Sequence, residues 1–194
     1  NEDDSIHELC EKVFDTSISE ILNVRSQIDQ DILENAIETL VNAKRVEFYA
    51  FGGSAPVAMD GQHKFFRLKI PSSYISDPHL QFMSANSLER DDVVVAISQS
   101  GTTTALIESV KIVRKNGAKV IGIMPGETPL SNICDFPLTI NVGINNRISK
   151  PVTSRIAYTA VIDVLTMGVA QLKPEAQDHL YNIADSQRSL KIDN

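Results

Sequence analysis

Hydroxyl side chains and a glycine are concentrated directly after the apolar run 92–97. The polar residues of this segment and its glycine are Ser98, Gln99, Ser100, Gly101, Thr102, Thr103 and Thr104. The first backbone N–H groups of a helix lack intrahelical acceptors and lie at the positive end of the helix dipole, and glycine lets a ligand approach the backbone closely. A strand that ends in such a turn, with a helix starting near Thr104, therefore predicts an anion site.

This turn differs from a nucleotide-binding loop, because it contains no lysine and lacks the G-x-x-x-x-G-K-[ST] spacing. A single phosphate on a small polar molecule fits the residue types better. Helix capping uses the same residues, so a purely structural turn stays open as an alternative. A cap needs only one hydroxyl, whereas this turn offers several.

A second turn that is rich in glycine and serine follows the apolar segment 46–51. Gly52, Gly53 and Ser54 stand there, and Ser54 is predicted to be the N-cap of a helix that holds Pro56 in its first turn. In an open parallel sheet, ligands bind beyond the carboxyl ends of the strands, where the winding direction changes. We therefore expect both turns to face one crevice.

Apolar runs alternate with helical patterns along residues 44–173, which we take as one domain. The predicted strands span 46–51, 72–76, 92–97, 119–124 and 136–142. The predicted helices span 55–69, 80–87, 104–115 and 155–172, with a helical turn at 129–134. This alternation indicates an α/β fold whose parallel sheet is covered on both faces. Gly61 lies inside a predicted helix, where close packing explains it best.

Residues 1–43 form an acidic segment in front of this domain. Apolar residues at intervals of three and four predict two helices that pack on the domain, with Asp29 capping the second and Asn42 ending it. Eleven acidic and two basic residues give the segment a net charge of −9, whereas the rest, with 14 acidic and 16 basic residues, carries +2. We expect no nucleic-acid contact here, because phosphates attract lysine and arginine. Residues 174–194 are predicted to add a C-terminal helix.

The remaining features predict a cytoplasmic protein without a metal or cofactor. We expect neither a membrane span nor a signal peptide, because no apolar stretch approaches eighteen residues and no charged-then-apolar leader begins at Asn1. Cys10 and Cys134 lie far apart without metal-like spacing, which favours two structural thiols in a reducing compartment.

The loop 98–103, with the sequence S-Q-S-G-T-T, resembles the S-x-S-G-x-T signature of sugar isomerase (SIS) domains. The segment 51–54 resembles the family's first glycine-serine loop, and the resemblance covers about 43–172. Segments 76–79 and 153–158 are more similar to the SIS half of RpiR-type transcriptional regulators, the hexose-regulon repressors in particular, than to the enzymes. The chain departs from the family at two positions. Many members carry an acidic residue at the position of Thr102 and a bulkier residue at that of Gly53.

The resemblance implies a doubly wound, five-stranded parallel sheet of the flavodoxin-like type, usually in a homodimer or larger homo-oligomer. The implied phosphosugar-binding residues are Gly53, Ser54, Ser98, Gln99, Ser100, Gly101, Thr103 and Ser154, with Thr102 and Arg155 as further candidates. For the hexose-regulon repressors the implied ligand is 2-keto-3-deoxy-6-phosphogluconate, a phosphorylated sugar acid. Arg155 can pair with a ligand carboxylate or with an acid at a subunit contact.

Two functions remain open, a phosphosugar sensor of a bacterial transcriptional regulator and a phosphosugar aldose-ketose isomerase. Isomerisation through an enediol needs a carboxylate or histidine that moves a proton between adjacent carbons. Glu108, His63 and His79 are the candidates, but neither loop contains an acidic residue, so we favour binding and assign no catalytic residue. RpiR-type regulators carry an N-terminal helix-turn-helix domain, which residues 1–43 do not supply. DNA contact is expected only through such a domain, and no membrane contact is expected.

Overall fold

The computed structural model describes residues 5–141 and 150–188, and only the backbone of residues 150–154, 184, 187 and 188 within those ranges. The α-helices in this part of the chain are α1 Ile6–Gln27, α2 Gln30–Val41, α3 Ala55–Arg67, α4 Pro78–Ser87, α5 Thr104–Lys115, α6 Lys150–Leu172 and α7 Pro174–Arg188. The strands are β1 Arg45–Ala50, β2 Ser72–Ile75, β3 Asp92–Ile97, β4 Lys119–Met124 and β5 Phe136–Thr139.

These strands form one parallel sheet in the order β2-β1-β3-β4-β5. The chain winds outward in one direction from β1 to β2 and in the other from β3 to β5, so the winding direction changes between β1 and β3. Ala50 pairs with Ile97 at the carboxyl ends of these two strands. The doubly wound sheet is confirmed, and the loops after β1 and β3 start side by side at the position that favours ligand binding.

Both faces of the sheet are buried, as the continuous apolar runs predict. Helices α2, α3, α6 and α7 cover one face, where Phe48 packs edge-on against Phe65 with ring centroids 5.3 Å apart. Helices α4 and α5 cover the other face, around Tyr49. A Cβ added to Gly61 on α3 would lie 2.5 Å from the Phe48 ring, so close packing does explain this glycine.

The two N-terminal helices pack against α6. Helix α1 starts with a capping box between Ser5 and Glu8, and Asp29 caps α2 by accepting a hydrogen bond of 3.0 Å from the Ile32 N–H. Asn42 ends α2, as predicted. The acidic segment thus forms two helices, each of which starts at a side-chain cap.

Several predicted boundaries were wrong by a few residues. Helix α4 starts at Pro78 because the Asp77 carboxylate caps it by accepting from the Leu80 N–H at 2.9 Å. The helical turn predicted at 129–134 is a 3-10 turn over Ser131–Ile133. Strand β5 ends at Thr139, and the predicted end at 142 lies outside the described residues.

Helix α6 corrects the expectation that no apolar stretch approaches eighteen residues. Its segment Arg155–Leu172 has a mean hydropathy of 1.2 and is long and apolar enough to cross a membrane. The buried face of this segment belongs to the core on one side of the sheet and is formed by Ala157, Tyr158, Val161, Ile162, Leu165 and Val169. Because α6 also contacts α1, α2 and α3, packing inside the domain accounts for this buried face, whereas Val164, Met167 and Leu172 of the same segment are exposed.

Candidate anion-binding site

The two predicted loops lie next to each other at the carboxyl edge of the sheet. Gly53 in the loop after β1 faces Gln99 in the loop after β3, since a Cβ added to Gly53 would lie 3.8 Å from the Gln99 side-chain oxygen. That distance is an ordinary contact, so the position has room for a larger residue. The structure therefore places the two loops side by side, as the positions of β1 and β3 require.

The loop after β3 folds around its own serine hydroxyls. Ser98 is buried, and its Oγ accepts a hydrogen bond of 3.0 Å from the Gly101 N–H. The Ser100 Oγ accepts from the Thr102 N–H at 3.3 Å and lies 3.5 Å from the Ser98 Oγ. A serine hydroxyl that accepts one N–H still carries its own proton as a donor. The loop thus holds the Ser98 and Ser100 hydroxyls close together.

The start of α5 is not capped by a side chain. Thr103 is the N-cap residue in extended backbone conformation, but it makes no side-chain cap hydrogen bond. The N–H groups in the first turn of a helix have no intrahelical acceptors and carry the positive end of the dipole. Thr103 therefore leaves the first N–H groups of α5 as donors that an anion can use. Ser98 and Ser100 do accept backbone N–H groups of the loop, as they would in a purely structural turn.

The loop after β1 is a 3-10 turn over Gly52–Ser54 that leads into α3. Gly52 has a φ of +51°, a conformation that favours glycine. Ser54 is buried and is the N-cap residue of α3, as predicted, but its side chain makes no cap hydrogen bond. Pro56 lies in the first turn of α3, as predicted. The backbone of Ser54 is helical, whereas a capping serine is typically extended.

A third loop, which the sequence analysis did not assign to the site, packs against the second one. Gly101 has a φ of +64°, and a Cβ there would lie 2.5 Å from the Cβ of Thr128, in the loop after β4. The Leu130 N–H also donates to the Gly101 carbonyl at 3.1 Å. The sequence could have indicated Thr128 by its position just beyond β4, because β4 neighbours β3 in the sheet.

Thr128 is held in a fixed orientation by its own loop. Its Oγ1 donates to the Pro125 carbonyl at 3.1 Å and accepts from the Ser131 N–H at 3.2 Å. The Ser131 Oγ accepts from the Thr128 N–H at 2.9 Å. These bonds fix the Thr128 side chain in the position where it lies against Gly101.

The residues proposed for isomerisation are an ion-paired glutamate and two exposed histidines. The Glu108 carboxylate forms an ion pair of 2.7 Å with Lys111 on the same helix. His63 lies exposed on α3, and His79 lies exposed in the first turn of α4, which follows β2. An exposed carboxylate, Glu127, does follow β4 in the loop that contains Thr128, and its φ is +56°.

The start of α6 approaches the first loop. Helix α6 contacts the 3-10 turn over Gly52–Ser54, and Arg155 lines a groove of about 580 Å³ together with Ile21 and Pro56. Arg155 therefore lies beside the start of α3. The side chain of Ser154, the remaining predicted ligand, lies outside the described residues.

The two cysteines lie away from these loops. Cys10 is exposed on α1, and Cys134 is partly buried before β5, where burial raises the pKa of its thiol to about 12. Neither forms a disulfide in the structure. Within residues 5–141 and 150–188, no group of three or more histidine, cysteine, aspartate or glutamate side chains could hold a metal ion.

Comparison with known proteins adds a family to this geometry. The family model described as SIS domain matches residues 39–168. The chain is 34% identical over 194 residues to the HTH-type transcriptional regulator HexR of Escherichia coli (strain K12). The matched region covers all of this chain and 67% of that protein. The chain thus spans about two thirds of the length of this relative.

Solved structures show the same fold at lower sequence identity. The Vibrio vulnificus NanR protein complexed with ManNAc-6P superimposes with a TM-score of 0.86 at 21% identity, covering 97% of this chain and 72% of that one. A putative sugar-phosphate isomerase from Listeria monocytogenes superimposes with a TM-score of 0.81 at 15% identity, covering 93% of this chain and 98% of that one. At this level of identity the likeness shows the fold, and a fold by itself does not assign a function.

Proposed function

Because this chain belongs to the SIS domain family, and to the HexR-type regulators within it, we propose that it senses a phosphorylated sugar for a bacterial transcriptional regulator. The observation that carries the proposal is the loop after β3. There the Ser98 and Ser100 hydroxyls lie 3.5 Å apart beside a helix start that no side chain caps. Hydroxyl and N–H donors at a helix N-terminus suit a phosphate monoester.

The proposed phosphate ligands lie on both loops. Ser54, Ser98, Ser100 and Thr103 donate from their hydroxyls, while Gln99 and the backbone at Gly53 and Gly101 line the same crevice. Neither loop contains a lysine or arginine, so oriented neutral donors hold the phosphate. Thr102 and Ser154 complete the proposed set.

We propose 2-keto-3-deoxy-6-phosphogluconate as the ligand, in keeping with the similarity to HexR. A sugar acid carries a carboxylate as well as a phosphate, and Arg155 beside Pro56 offers a guanidinium for it. Arginine pairs with a carboxylate in bidentate geometry, which discriminates an acid from a neutral sugar. Arg155→Ala should therefore weaken binding of the sugar acid much more than binding of inorganic phosphate.

The alternative function is a phosphosugar isomerase, and Glu127 is the observation that favours it. This exposed carboxylate follows β4 in the loop that packs against Gly101 of the anion loop, residues 98–103. The Glu108 carboxylate, by contrast, is held in an ion pair with Lys111. NMR of the chain incubated with aldose and ketose phosphates is the test. We expect no interconversion, and turnover that Glu127→Gln abolishes would establish the enzyme.

In the regulator that we propose, DNA is contacted only by an N-terminal domain outside this chain, and the chain forms a homodimer. Large apolar side chains on α1 support a subunit contact, since Ile6 is 82% and Phe14 65% exposed. Such surfaces on soluble domains commonly mark protein interfaces. Sedimentation equilibrium should show a dimer, and Phe14→Glu should shift it towards the monomer.

A thermal-shift screen of phosphorylated sugar acids tests the proposed function most broadly. A ligand that binds only the native state raises its stability by about 2.7 kcal/mol at a hundredfold excess over Kd. We expect a strong shift with 2-keto-3-deoxy-6-phosphogluconate and none with the dephosphorylated acid. Equal shifts with both compounds, or none with any phosphosugar, would contradict the proposal.

A further inference from the structure

We propose that Asn141 is a positioning residue that links the anion site to α1, so that the anchoring of α1 and the occupancy of the site depend on each other. This inference rests on the proposed function, because it concerns what a bound phosphosugar changes in the domain. Asn141 follows β5, whose carboxyl end lies at the same edge of the sheet as the three loops of the site.

The first link joins Asn141 to the loop after β4. Its side-chain oxygen accepts a hydrogen bond of 3.2 Å from the Gly126 N–H. Gly126 begins the stretch that ends at Leu130, and this stretch contacts the anion loop through Thr128 and through the 3.1 Å hydrogen bond from the Leu130 N–H to the Gly101 carbonyl. Asn141 therefore orders the loop that supports Gly101 from behind.

The second link joins the Asn141 backbone to α1. The Gln27 side chain makes two hydrogen bonds to it, accepting from the Asn141 N–H at 2.8 Å and donating to the Asn141 carbonyl at 3.0 Å. The Asn23 side chain donates to the same carbonyl at 3.0 Å. The Asn141 backbone thus makes three hydrogen bonds with one end of α1, donating one and accepting two.

These contacts lie at the end of α1 that is held in the domain. Val24 is buried there, whereas residues 6–15 are exposed. In the proposed regulator, α1 leads from the sensor towards the DNA-binding domain. A ligand that orders the anion loop also orders Thr128, Gly126 and Asn141, and this should restrict the attached end of α1. Coupling between two sites is reciprocal, so loosening α1 must weaken ligand binding by the same factor.

The first test needs no ligand and uses hydrogen exchange followed by mass spectrometry. Gln27→Ala removes two of the three hydrogen bonds between Asn141 and α1, and Asn141→Ala removes the bond to Gly126. Gln30→Ala is a matched control because its amide bonds the nearby Ile28 carbonyl at 3.4 Å. We expect residues 98–104 and 126–130 to exchange about fivefold faster in Gln27→Ala, with β1 and β3 unchanged. Unchanged exchange in these loops, or equal acceleration of the core strands, would overturn the link.

The second test uses 2-keto-3-deoxy-6-phosphogluconate as the probe. Its Kd should rise about fivefold in both Gln27→Ala and Asn141→Ala and stay unchanged in Gln30→Ala. At saturation the probe should slow exchange of residues 19–27 in the original chain but not in Asn141→Ala. Unchanged exchange of α1 at saturation would overturn the coupling. A chain that binds none of the probe contradicts the proposed ligand instead, and the ligand-free test still decides the link.

Discussion

Thr128 fills the space that any side chain at Gly101 would need. A Cβ on Gly101 would lie 2.5 Å from the Thr128 Cβ, and the φ of +64° at Gly101 already disfavours other residues. The loop after β4 thereby fixes the backbone of the anion loop at the point where Ser98 accepts the Gly101 N–H. The loop after β4 thus holds in shape the hydroxyl-rich turn that we propose as the phosphate site.

Gly101→Ala should weaken phosphosugar binding at least tenfold, because both the clash and the left-handed backbone force the loop to move. Isothermal titration with 2-keto-3-deoxy-6-phosphogluconate measures the change. Gly117→Ala, in the turn after α5, is the matched control. Gly117 also has a positive φ of +89°, but a Cβ there would lie 3.9 Å from its nearest neighbour, the Arg90 Cβ, and would not clash. The control should lose stability and keep its affinity. Equal affinity in both variants would contradict the role of Thr128.

Gly61→Ala should destabilise the domain even though alanine is the better helix former. The propensity gain is about 1 kcal/mol, whereas forcing a methyl group to within 2.5 Å of the Phe48 ring costs typically 1–3 kcal/mol. Denaturant unfolding should therefore show a free energy of unfolding lower by about 1 kcal/mol. Combining the change with Phe48→Leu should recover part of the loss from the clash. An increase in stability for the single variant would show that the helix shifts away from β1.

Cys134 should resist thiol reagents at pH 8 while Cys10 reacts. Burial raises the pKa of Cys134 to about 12, so its thiol stays protonated, whereas Cys10 is exposed. Since the pKa of Cys134 is raised on folding, its contribution to stability is complete below the unfolded value and is lost as the pH rises towards 12. Mass spectrometry after iodoacetamide treatment should show modification at Cys10 alone. Fast modification of Cys134 in the native chain would contradict its buried position.

The chain by itself should not bind DNA. Its first 43 residues carry a net charge of −9, and affinity for a duplex comes largely from lysine and arginine on phosphates. A gel-shift experiment at about 50 mM salt, where nonspecific binding is strongest, should show no retardation. Retardation that disappears as the salt concentration rises would contradict the assignment of DNA contact to another domain.

Much of this architecture is predictable from local pattern. The residues of β3 and β4 form continuous apolar runs, and the structure places both strands at the predicted residues. Strands β1 and β3 are parallel neighbours, so their carboxyl ends share an edge of the sheet. The loops that contain Gly53 and Ser98 therefore lie together. Asp29 starts α2 and Asn42 ends it, as their side-chain chemistry suggests.

The wrong or missing parts depend on contacts between distant segments. Ser54 stands at the predicted N-cap position of α3 but makes no cap hydrogen bond, because the 3-10 turn leaves its backbone helical rather than extended. Thr128 contacts Gly101 only because β3 and β4 are neighbours in the sheet, which brings the loops after them together. The link from Gln27 to Asn141 spans 114 residues and joins amide side chains that carry no local signal. Sequence patterns indicated where the anion site lies but not which loops support it.

Isothermal titration of Ser98→Ala and Ser54→Ala tests the central claim most directly. Hydrogen bonds to a charged group contribute about 1.5–3 kcal/mol, so each variant should bind 2-keto-3-deoxy-6-phosphogluconate about tenfold more weakly or worse. Ser87→Ala, on the exposed face of α4, should bind normally, and all three variants should unfold at similar denaturant concentrations. The dephosphorylated acid should not bind the original chain. Equal binding of both acids, or normal affinity in both loop variants, would show that these loops hold no phosphate.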